Sequence, residues 1–311
     1  MNRAQIRKVL VENNLYKIIT LDEKRTILEN NREKIIEFYS NNYSLKKIKT
    51  YLKEQGIEVE TRTLKNFLEK WGVKIKSARD YNKKFTSDDK CFSKYSVESC
   101  YWAGIIASDG CIFSHGRADK KNNYLSIGVS EIDSKMIERF KTFSKYTGKL
   151  YRGKRSKQNH HDCIEIRLNN INIVKDLEKN FNITSAKSLT YIPPNIPKKY
   201  VKYFILGLLD GDGCITYYTT NTGRKHFGLS FVGTKETCEY IKKFLKSDVK
   251  LFKRYKESDK NNYSFVIQGN IQIYKMLSNL YDEKVKDICL ERKYNKFLEL
   301  KEQINNTYNL K

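Results

Sequence analysis

The sequence predicts an α+β protein that consists of a duplicated core and a small all-α N-terminal domain. Three observations support this class. A segment of roughly 100 residues occurs twice, each copy alternates between helix and strand patterns, and residues 1–90 have no counterpart in either copy. The 311 residues, 39% of them hydrophobic, suffice for several cores. We therefore expect a helical domain over residues 1–90, a first repeat over 91–198 and a second over 199–311.

The N-terminal domain is expected to contain three short helices, at residues 32–40, 45–55 and 62–71. Ser44 and Thr61 are suited to be N-caps, while Gly56 and Gly72 are suited to end helices. Short helices joined by such turns resemble a helix-turn-helix unit, in which the third helix would be the recognition helix. The alternative is a small helical bundle that only mediates protein contacts.

The duplication is visible in three blocks that occur in the same order. The block YWAGIIASDGCI at 101–112 returns as FILGLLDGDGCI at 204–215. Residues 125–140 align without gaps on 229–244, and NINI at 170–173 matches NIQI at 270–273. Chance is a poor explanation for three ordered matches, so we infer a duplicated structural unit.

Within each copy the periodicity predicts the order α-β-β-α-β-α. The first helix is apolar and ends at Asp-Gly, where the glycine is expected to stop it. Strands and amphipathic helices follow from their spacing. These are 124–129, 136–143, 163–168 and 171–178 in the first copy, and 227–232, 238–245, 263–268 and 271–280 in the second. A further strand could lie in the irregular stretches 114–123, 148–159 and 217–226.

The charge balance points to a polyanionic partner. Lys and Arg number 60 against 36 Asp and Glu, which gives a formal charge of +24. Nucleic acid is the common partner of such chains, through phosphate neutralisation. The alternative is that the lysines only face water. No apolar stretch approaches the length of a membrane span, and no secretory signal is seen, so we expect an intracellular protein. Seven cysteines without a CxxC pair argue against a disulfide framework or a zinc site.

The apolar helices are expected to pair with each other. Small residues lie four positions apart in both copies, at Gly104 and Ser108 and at Gly207 and Gly211. This spacing puts them on one helix face and allows close approach. Asp109 and Asp212 lie just beyond that face, so pairing would bring two carboxylates together at two helix C-termini. Their repulsion and the helix dipoles both favour a bound divalent cation. The alternative is that Asp-Gly is only a helix-ending turn.

Residues 102–110 (WAGIIASDG) and 205–213 (ILGLLDGDG) resemble the signature of the LAGLIDADG homing endonucleases. Both keep the acid of the eighth position, at Asp109 and Asp212, whereas the sixth position is Asp210 in the second copy and Ala107 in the first. The resemblance extends from about residue 95 onward and includes 181–197. It implies two αββαββα repeats whose antiparallel sheets form a saddle across DNA. It also implies Mg²⁺-dependent (or Mn²⁺-dependent) double-strand cleavage that leaves 3′ overhangs, by a monomer on a long asymmetric target.

The resemblance suggests further site residues. Gly110 and Gly213 follow the two acids and are expected beside the metal. Family members often carry a polar residue, frequently Gln, at the end of a strand, and here the matching positions are Glu131 and Lys235. A later lysine is best matched by Lys187 in the first repeat. In the second repeat the match is Lys286, with Lys284 as the alternative.

Basic and polar residues are candidates for DNA contact. Two clusters with interspersed aromatic residues suit phosphates, namely Arg152, Lys154, Arg155 and Lys157, and Lys250, Lys253, Arg254 and Lys256. Ser126 and Ser230 lie on strands from which they could reach base edges, and Arg62 and Lys65 lie on the candidate recognition helix. The alternative functions on the same fold are a DNA-binding protein that does not cut, an RNA-splicing maturase acting on intron RNA, and a decayed nuclease.

Overall fold

The computed structural model describes residues 21–41, 43–76, 85–115, 122–153, 162–254 and 260–308. The chain divides into two compact units, residues 1–84 and 85–311. Each unit has its own hydrophobic core. None of the described helices is long and apolar enough to cross a membrane.

The first unit contains four described helices: α1 (Leu21–Asn30), α2 (Arg32–Ser40), α3 (Leu45–Glu54) and α4 (Thr61–Lys70). Ser44 caps α3, because its side chain accepts a hydrogen bond from the Lys47 backbone N–H. Gly56 and Gly72 adopt positive φ angles of 75° and 77° after α3 and α4, which favours glycine at both helix ends.

Two sequence expectations for this unit need correction. Thr61 is not an N-cap, because α4 begins at Thr61 itself and Glu60 holds the extended backbone conformation before it. The Glu60 carboxylate makes no capping bond and instead accepts hydrogen bonds from Lys49 at 2.9 Å. Helix α1 was not expected, although Leu28 joins the buried core of the unit.

The second unit contains two αββαββα repeats, as the resemblance implied. The first has α5 (Val97–Ser108), β1 (Gly110–His115), β2 (Asn122–Ser130), α6 (Ser134–Phe143), β3 (Tyr151–Gly153), β4 (Cys163–Leu168) and α7 (Ile171–Phe181). The second has α8 (Lys198–Asp212), β5 (Cys214–Thr219), β6 (Lys225–Gly233), α9 (Lys235–Leu245), β7 (Phe252–Lys253), β8 (Tyr263–Gln268) and α10 (Asn270–Leu280), followed by α11 (Glu291–Tyr308).

Each repeat forms a four-stranded antiparallel sheet, with the orders β1-β2-β4-β3 and β5-β6-β8-β7. This confirms the predicted α+β class. The strands missing from the periodicity reading are β3 and β7, which contain only three and two residues. Strands this short, with no buried alternation, leave no period-2 signal in the sequence.

The two faces of each sheet differ in burial. In the first sheet, Ile127 of β2 lies opposite Ile166 of β4, and both side chains are buried. Neighbouring residues point the other way, since side chains alternate along a strand. Arg167 of β4 is therefore on the opposite face, where it is exposed. The helices pack against the face that carries the buried residues, and the other face, here called the open face, carries exposed side chains such as Arg167 and Val266.

Candidate active site

The two repeats meet where helices α5 and α8 cross. The backbones touch at Gly104 and Gly207, with no room for a side chain on either. A Cβ on Gly104 would lie 2.2 Å from the carbonyl O of Phe204, and a Cβ on Gly207 would lie 2.1 Å from the carbonyl O of Tyr101. Such distances are far inside van der Waals contact. The crossing therefore requires glycine at both positions.

The last turns of the two helices also touch. A Cβ on Gly211 would lie 1.8 Å from Ser108 Oγ and 3.1 Å from Asp109 Oδ2. Asp109 is the C-cap of α5, and Asp212 is the last residue of α8. The Asp109 carboxylate of the first repeat thus lies against the final turn of the helix that carries Asp212. The small-residue spacing brings the two acids to one place.

Helices α5 and α8 end next to Gly110 and Gly213, and neither glycine has a positive φ angle. Gly213 has φ −82° and ψ 166°, an extended conformation. The reason for glycine is steric. A Cβ would lie 2.7 Å from the carbonyl O of Ile106 at Gly110, and 2.7 Å from that of Leu209 at Gly213. Glycine lets each chain pass directly from the helix into β1 or β5 beside the acid.

The two carboxylates are electrostatically strained in the absence of a cation. Burial, and after it the nearby Asp212 carboxylate, together raise the pKa of Asp109 to about 6, against the opposing effect of Lys293 and Lys187. Burial also raises the pKa of Asp212. Both side chains nevertheless reach solvent. They line a crowded but open surface, where the charge of a divalent ion would offset the cost of two anions.

Each acid has a buried lysine nearby. The Lys187 side chain is 5% exposed, and its Nζ donates a 2.8 Å hydrogen bond to the carbonyl O of Gly110. Lys293 is 2% exposed, and its Nζ donates to the carbonyl oxygens of Leu209, Asp210, Gly211 and Gly213 at 2.6, 2.8, 3.3 and 2.6 Å. Burial lowers the pKa of both lysines. Each ammonium stabilises the negative end of the helix that presents an acid.

The lysine that corresponds in contacts to Lys187 is thus Lys293, whereas the sequence led us to expect Lys286 at this place. Lys284 and Lys286 are both exposed, in the connection before α11. Lys293 lies in the first turn of α11 and shares the buried face of that helix with Phe297 and Leu300. That i, i+4, i+7 spacing with two apolar residues is the one sequence signal that could have singled it out.

Replacing Lys293 by Met is expected to lower the free energy of unfolding by about 3 kcal/mol, because four carbonyl oxygens at the end of α8 would lose their charged donor. Lys286→Met, at an exposed position, is the matched control and should change stability by less than about 0.5 kcal/mol. Chemical denaturation of the full chain measures both. Equal stability of the two variants would contradict the structural role assigned to Lys293.

Asp210 is a buried contact between the repeats rather than a second metal candidate. Its Oδ2 accepts hydrogen bonds from the Tyr101 hydroxyl at 2.9 Å and from the Leu290 backbone N–H at 2.8 Å. Burial raises its pKa to about 6. The first repeat has Ala107 at this position. Only the second repeat therefore has an acid at the sixth position of the signature, and this acid links α8 to α5 through the hydrogen bond with Tyr101.

The predicted strand-end residues differ between the repeats. Glu131 opens a short 3₁₀ turn directly after β2, and its Oε1 accepts a 3.1 Å hydrogen bond from Arg152 Nε. Its Oε2 is buried without a hydrogen-bond partner. Lys235 is the first residue of α9 and lies 3.8 Å from Glu239. Glu131 is thus held beside the first sheet, whereas Lys235 is directed along its own helix.

The candidate DNA contacts are only partly placed by the structure. Arg152, Lys250 and Arg254 are exposed, and Lys253 is half-buried on β7. Arg62 is exposed on α4, where Lys65 lies 3.8 Å from Glu69. Lys154, Arg155, Lys157 and Lys256 lie outside the described residues.

The two candidate strand serines have different surroundings. Ser126 is 6% exposed, and its hydroxyl donates a hydrogen bond to Glu165 Oε1. The Ser126 hydroxyl, which was expected to donate to a base edge, therefore donates to the Glu165 carboxylate within the sheet. Ser230 is half-buried at the matching place on β6.

The residues present could hold a hard cation only together with outside ligands. Within the part of the chain that the structure describes, no three His, Cys, Asp or Glu side chains form a metal-binding group. The donors at the crossing are the two carboxylates and the carbonyl oxygens of Gly110 and Gly213, each of which already accepts a lysine hydrogen bond. Mg²⁺ usually keeps several waters and binds through one or two carboxylates plus phosphate oxygens, so this set fits it.

The strain on Asp109 predicts a pH-dependent gain in stability for Asp109→Asn in the presence of EDTA. The pKa of the Asp109 carboxyl group in the folded state is about 6, above its usual value of 3.8. The ion-free wild type therefore loses stability as the pH rises from about 4 through about 6, and the variant escapes this loss.

The melting temperatures of variant and wild type should be similar at about pH 4 and differ by roughly 2–4 °C at neutral pH. That difference corresponds to about 1 kcal/mol in a domain of this size, which is less than the full pKa change would give because Asp109 is exposed to screening by solvent. A scan of melting temperature against pH, with both proteins in EDTA, measures the difference. If Asp109→Asn were less stable than the wild type at neutral pH, the claim that the ionised Asp109 destabilises the ion-free fold would be contradicted.

Residues 24–75 match the Clr5 domain family. No curated protein matches the chain. Among solved structures, the chain is similar to the LAGLIDADG homing endonuclease I-GzeII in complex with a DNA target, at 12% identity and a TM-score of 0.46 over 70% of this chain and 94% of that chain. It is also similar to the LAGLIDADG meganuclease I-CpaMI bound to uncleaved DNA, at 11% identity and a TM-score of 0.47 over 69% and 93%. A third similar structure is the LAGLIDADG homing endonuclease I-LtrWI bound to target DNA. Its sequence identity is 13% and its TM-score 0.42, over 67% of this chain and 98% of that chain.

Proposed function

We propose that this chain is a divalent-cation-dependent endonuclease that cuts both strands of duplex DNA at a specific site, in the manner of the LAGLIDADG homing endonucleases. The observation that carries the proposal is the pair Asp109 and Asp212, brought to the end of one helix crossing by two repeats. Each repeat supplies one acid, and the close backbone contact at Gly104 and Gly207 supports their placement at a common end of the two helices.

The pairing of two acids suits a duplex substrate. The two repeats have the same αββαββα order and present one acid each, so the site is pseudo-symmetric. The strands of a duplex are also related by a local twofold axis. One acid per strand accounts for both copies of the signature. By the family resemblance, the products would carry 3′ overhangs.

Each protein group has a distinct task in this reaction. A bound Mg²⁺ or Mn²⁺ would supply Lewis-acid stabilisation of the leaving oxygen and a water more readily deprotonated at neutral pH. Asp109 and Asp212 would hold the cation against the phosphodiester. Lys187 and Lys293 fix the helix ends that carry the acids, and their positive charges stabilise the extra negative charge of the transition state.

The charge of the chain supports DNA as the substrate. The formal charge of +24 would drive binding through counterion release. Exposed Arg152, Lys250 and Arg254 adjoin the short strands β3 and β7 at the edge of each sheet. In the N-terminal unit, the exposed Arg62 and the neighbouring Lys65 on α4 would contact phosphates, as in a helix-turn-helix unit.

A plasmid library with a long randomised insert tests the proposal. In Mg²⁺ we expect the purified chain to linearise a small set of inserts, and in Ca²⁺ to bind the same inserts without cutting. Binding without cleavage in either ion would identify a DNA-binding protein that lacks catalysis. Binding of structured RNA in preference to any duplex would favour a maturase. Either result would overturn the endonuclease assignment.

A further inference from the structure

The open faces of the two sheets differ at three of four positions that correspond between the repeats. In the first sheet, Ser126 of β2 lies opposite Arg167 of β4, and Tyr151 of β3 lies opposite Glu165 of β4. The corresponding places in the second sheet are held by Ser230, Val266, Phe252 and Ser264. The two sheets thus have the same strand pairing, but the first carries a charged pair, Arg167 and Glu165, where the second carries the uncharged Val266 and Ser264.

The guanidinium of Arg167 is held rigidly although it is half exposed. Its Nε donates to Glu165 Oε1 at 2.8 Å, and its Nη2 donates to Glu165 Oε2 at 2.6 Å. Ser126 donates to the same carboxylate, and the guanidinium carbon lies 4.8 Å from the centre of the Tyr151 ring. The carboxylate and the ring together fix both the direction and the plane of the guanidinium.

This arrangement leaves one edge of the guanidinium available. The bonds to Glu165 use the Nε–Nη2 edge, so the edge formed by Nη1 and the second N–H of Nη2 faces away from the carboxylate. Two parallel N–H donors match the O6 and N7 acceptors of guanine in the major groove. As a partly exposed salt bridge, the pair would contribute little to stability. Stability alone is thus a weak reason for three side chains to hold one arginine.

The corresponding place in the second sheet is apolar. Val266 is 46% exposed on the open face, opposite Ser230. Neither Ser264 nor Phe252 carries a charge. An exposed branched side chain at a base-reading position suits the C5-methyl group of thymine and offers guanine no donor.

We propose that Arg167 reads a guanine in one half of the DNA target, and that Val266 contacts a thymine methyl at the corresponding position of the other half. Glu165 is the positioning residue for Arg167. The inference rests on the proposed binding of duplex DNA across the open faces of the sheets. It makes the target depart from twofold symmetry at this base pair, because the two repeats have different readers there.

Selection of bound duplexes tests the inference. Full-length protein is mixed in Ca²⁺ with duplexes that contain a long randomised segment, and the bound fraction is sequenced. The wild type should enrich guanine at one position and thymine at the mirrored one. Arg167→Ala should reduce the preference for guanine at least about tenfold at that position alone. Glu165→Gln should weaken the same preference and leave the other positions unchanged.

A graft provides the converse test. The double variant Ser264→Glu with Val266→Arg places the acid and the arginine of the first sheet into the second, and it should replace thymine by guanine at the mirrored position. Melting temperatures verify that every variant is folded. If Arg167→Ala keeps all base preferences, or the graft keeps thymine, the inference is overturned while the nuclease proposal stands. If the wild type enriches no sequence at all, the proposed function itself fails.

Discussion

Asp212→Asn and Asp109→Asn are each expected to slow cleavage of a bound DNA target at least about 10³-fold. Loss of one cation ligand removes several kcal/mol of transition-state stabilisation, and about 4 kcal/mol corresponds to that factor. DNA affinity should be retained or slightly increased, because each change removes a negative charge beside the phosphates. Single-turnover cleavage in Mg²⁺ and gel-shift titration in Ca²⁺ separate the two effects.

Asp287→Asn is the matched control for this pair. Asp287 is exposed in the connection before α11, so its replacement should leave the cleavage rate within about twofold of wild type, as for surface substitutions generally. Wild-type cleavage by either active-site variant would show that the acids at the crossing are a structural feature only. Loss of cleavage together with loss of binding would place the defect in DNA recognition.

Gly207→Ala is expected to destabilise the second unit by about 3 kcal/mol or more, the upper range for overpacking a tight contact. The new methyl group would lie 2.1 Å from the carbonyl O of Tyr101. Because that atom belongs to the backbone of α5, the helices themselves must separate. The melting temperature should fall by roughly 6–12 °C, and separation of Asp109 from Asp212 should reduce cleavage even in the folded fraction.

Gly128→Ala serves as its control within the same unit. A Cβ on Gly128 would approach no closer than 3.8 Å to the nearest atom, Glu165 Cγ, which is ordinary contact. Stability should change by less than about 0.5 kcal/mol. If Gly207→Ala proved as well tolerated as Gly128→Ala, the close crossing of α5 and α8 would be contradicted.

Much of the fold follows from short-range patterns in the sequence. The recurrence of an apolar helix before Asp-Gly located both acids, and the four-residue spacing of small residues indicated which helix faces meet. The helix and strand periods gave most of the elements of each repeat. These features can be predicted from the sequence because each depends on residues that are close together in the chain.

The remaining features depend on contacts between distant segments. Lys293 acquires its role only when the first turn of α11 reaches the end of α8, and the connections before Lys187 and Lys293 do not align. The alternation along β2 predicts that Ser126 faces DNA, but its hydroxyl donates a hydrogen bond to Glu165 on the neighbouring strand β4. Strands β3 and β7 are defined by pairing with β4 and β8 rather than by a pattern of their own.

The most direct test of the central claim uses a selected duplex target with a different label at the 5′ end of each strand. In Mg²⁺, wild-type protein should shorten both labelled strands and leave 3′ overhangs, while the same complex in Ca²⁺ or EDTA should keep both strands intact. A complex that forms in Mg²⁺ but leaves both strands uncut would contradict the account, as would cutting that persists in EDTA.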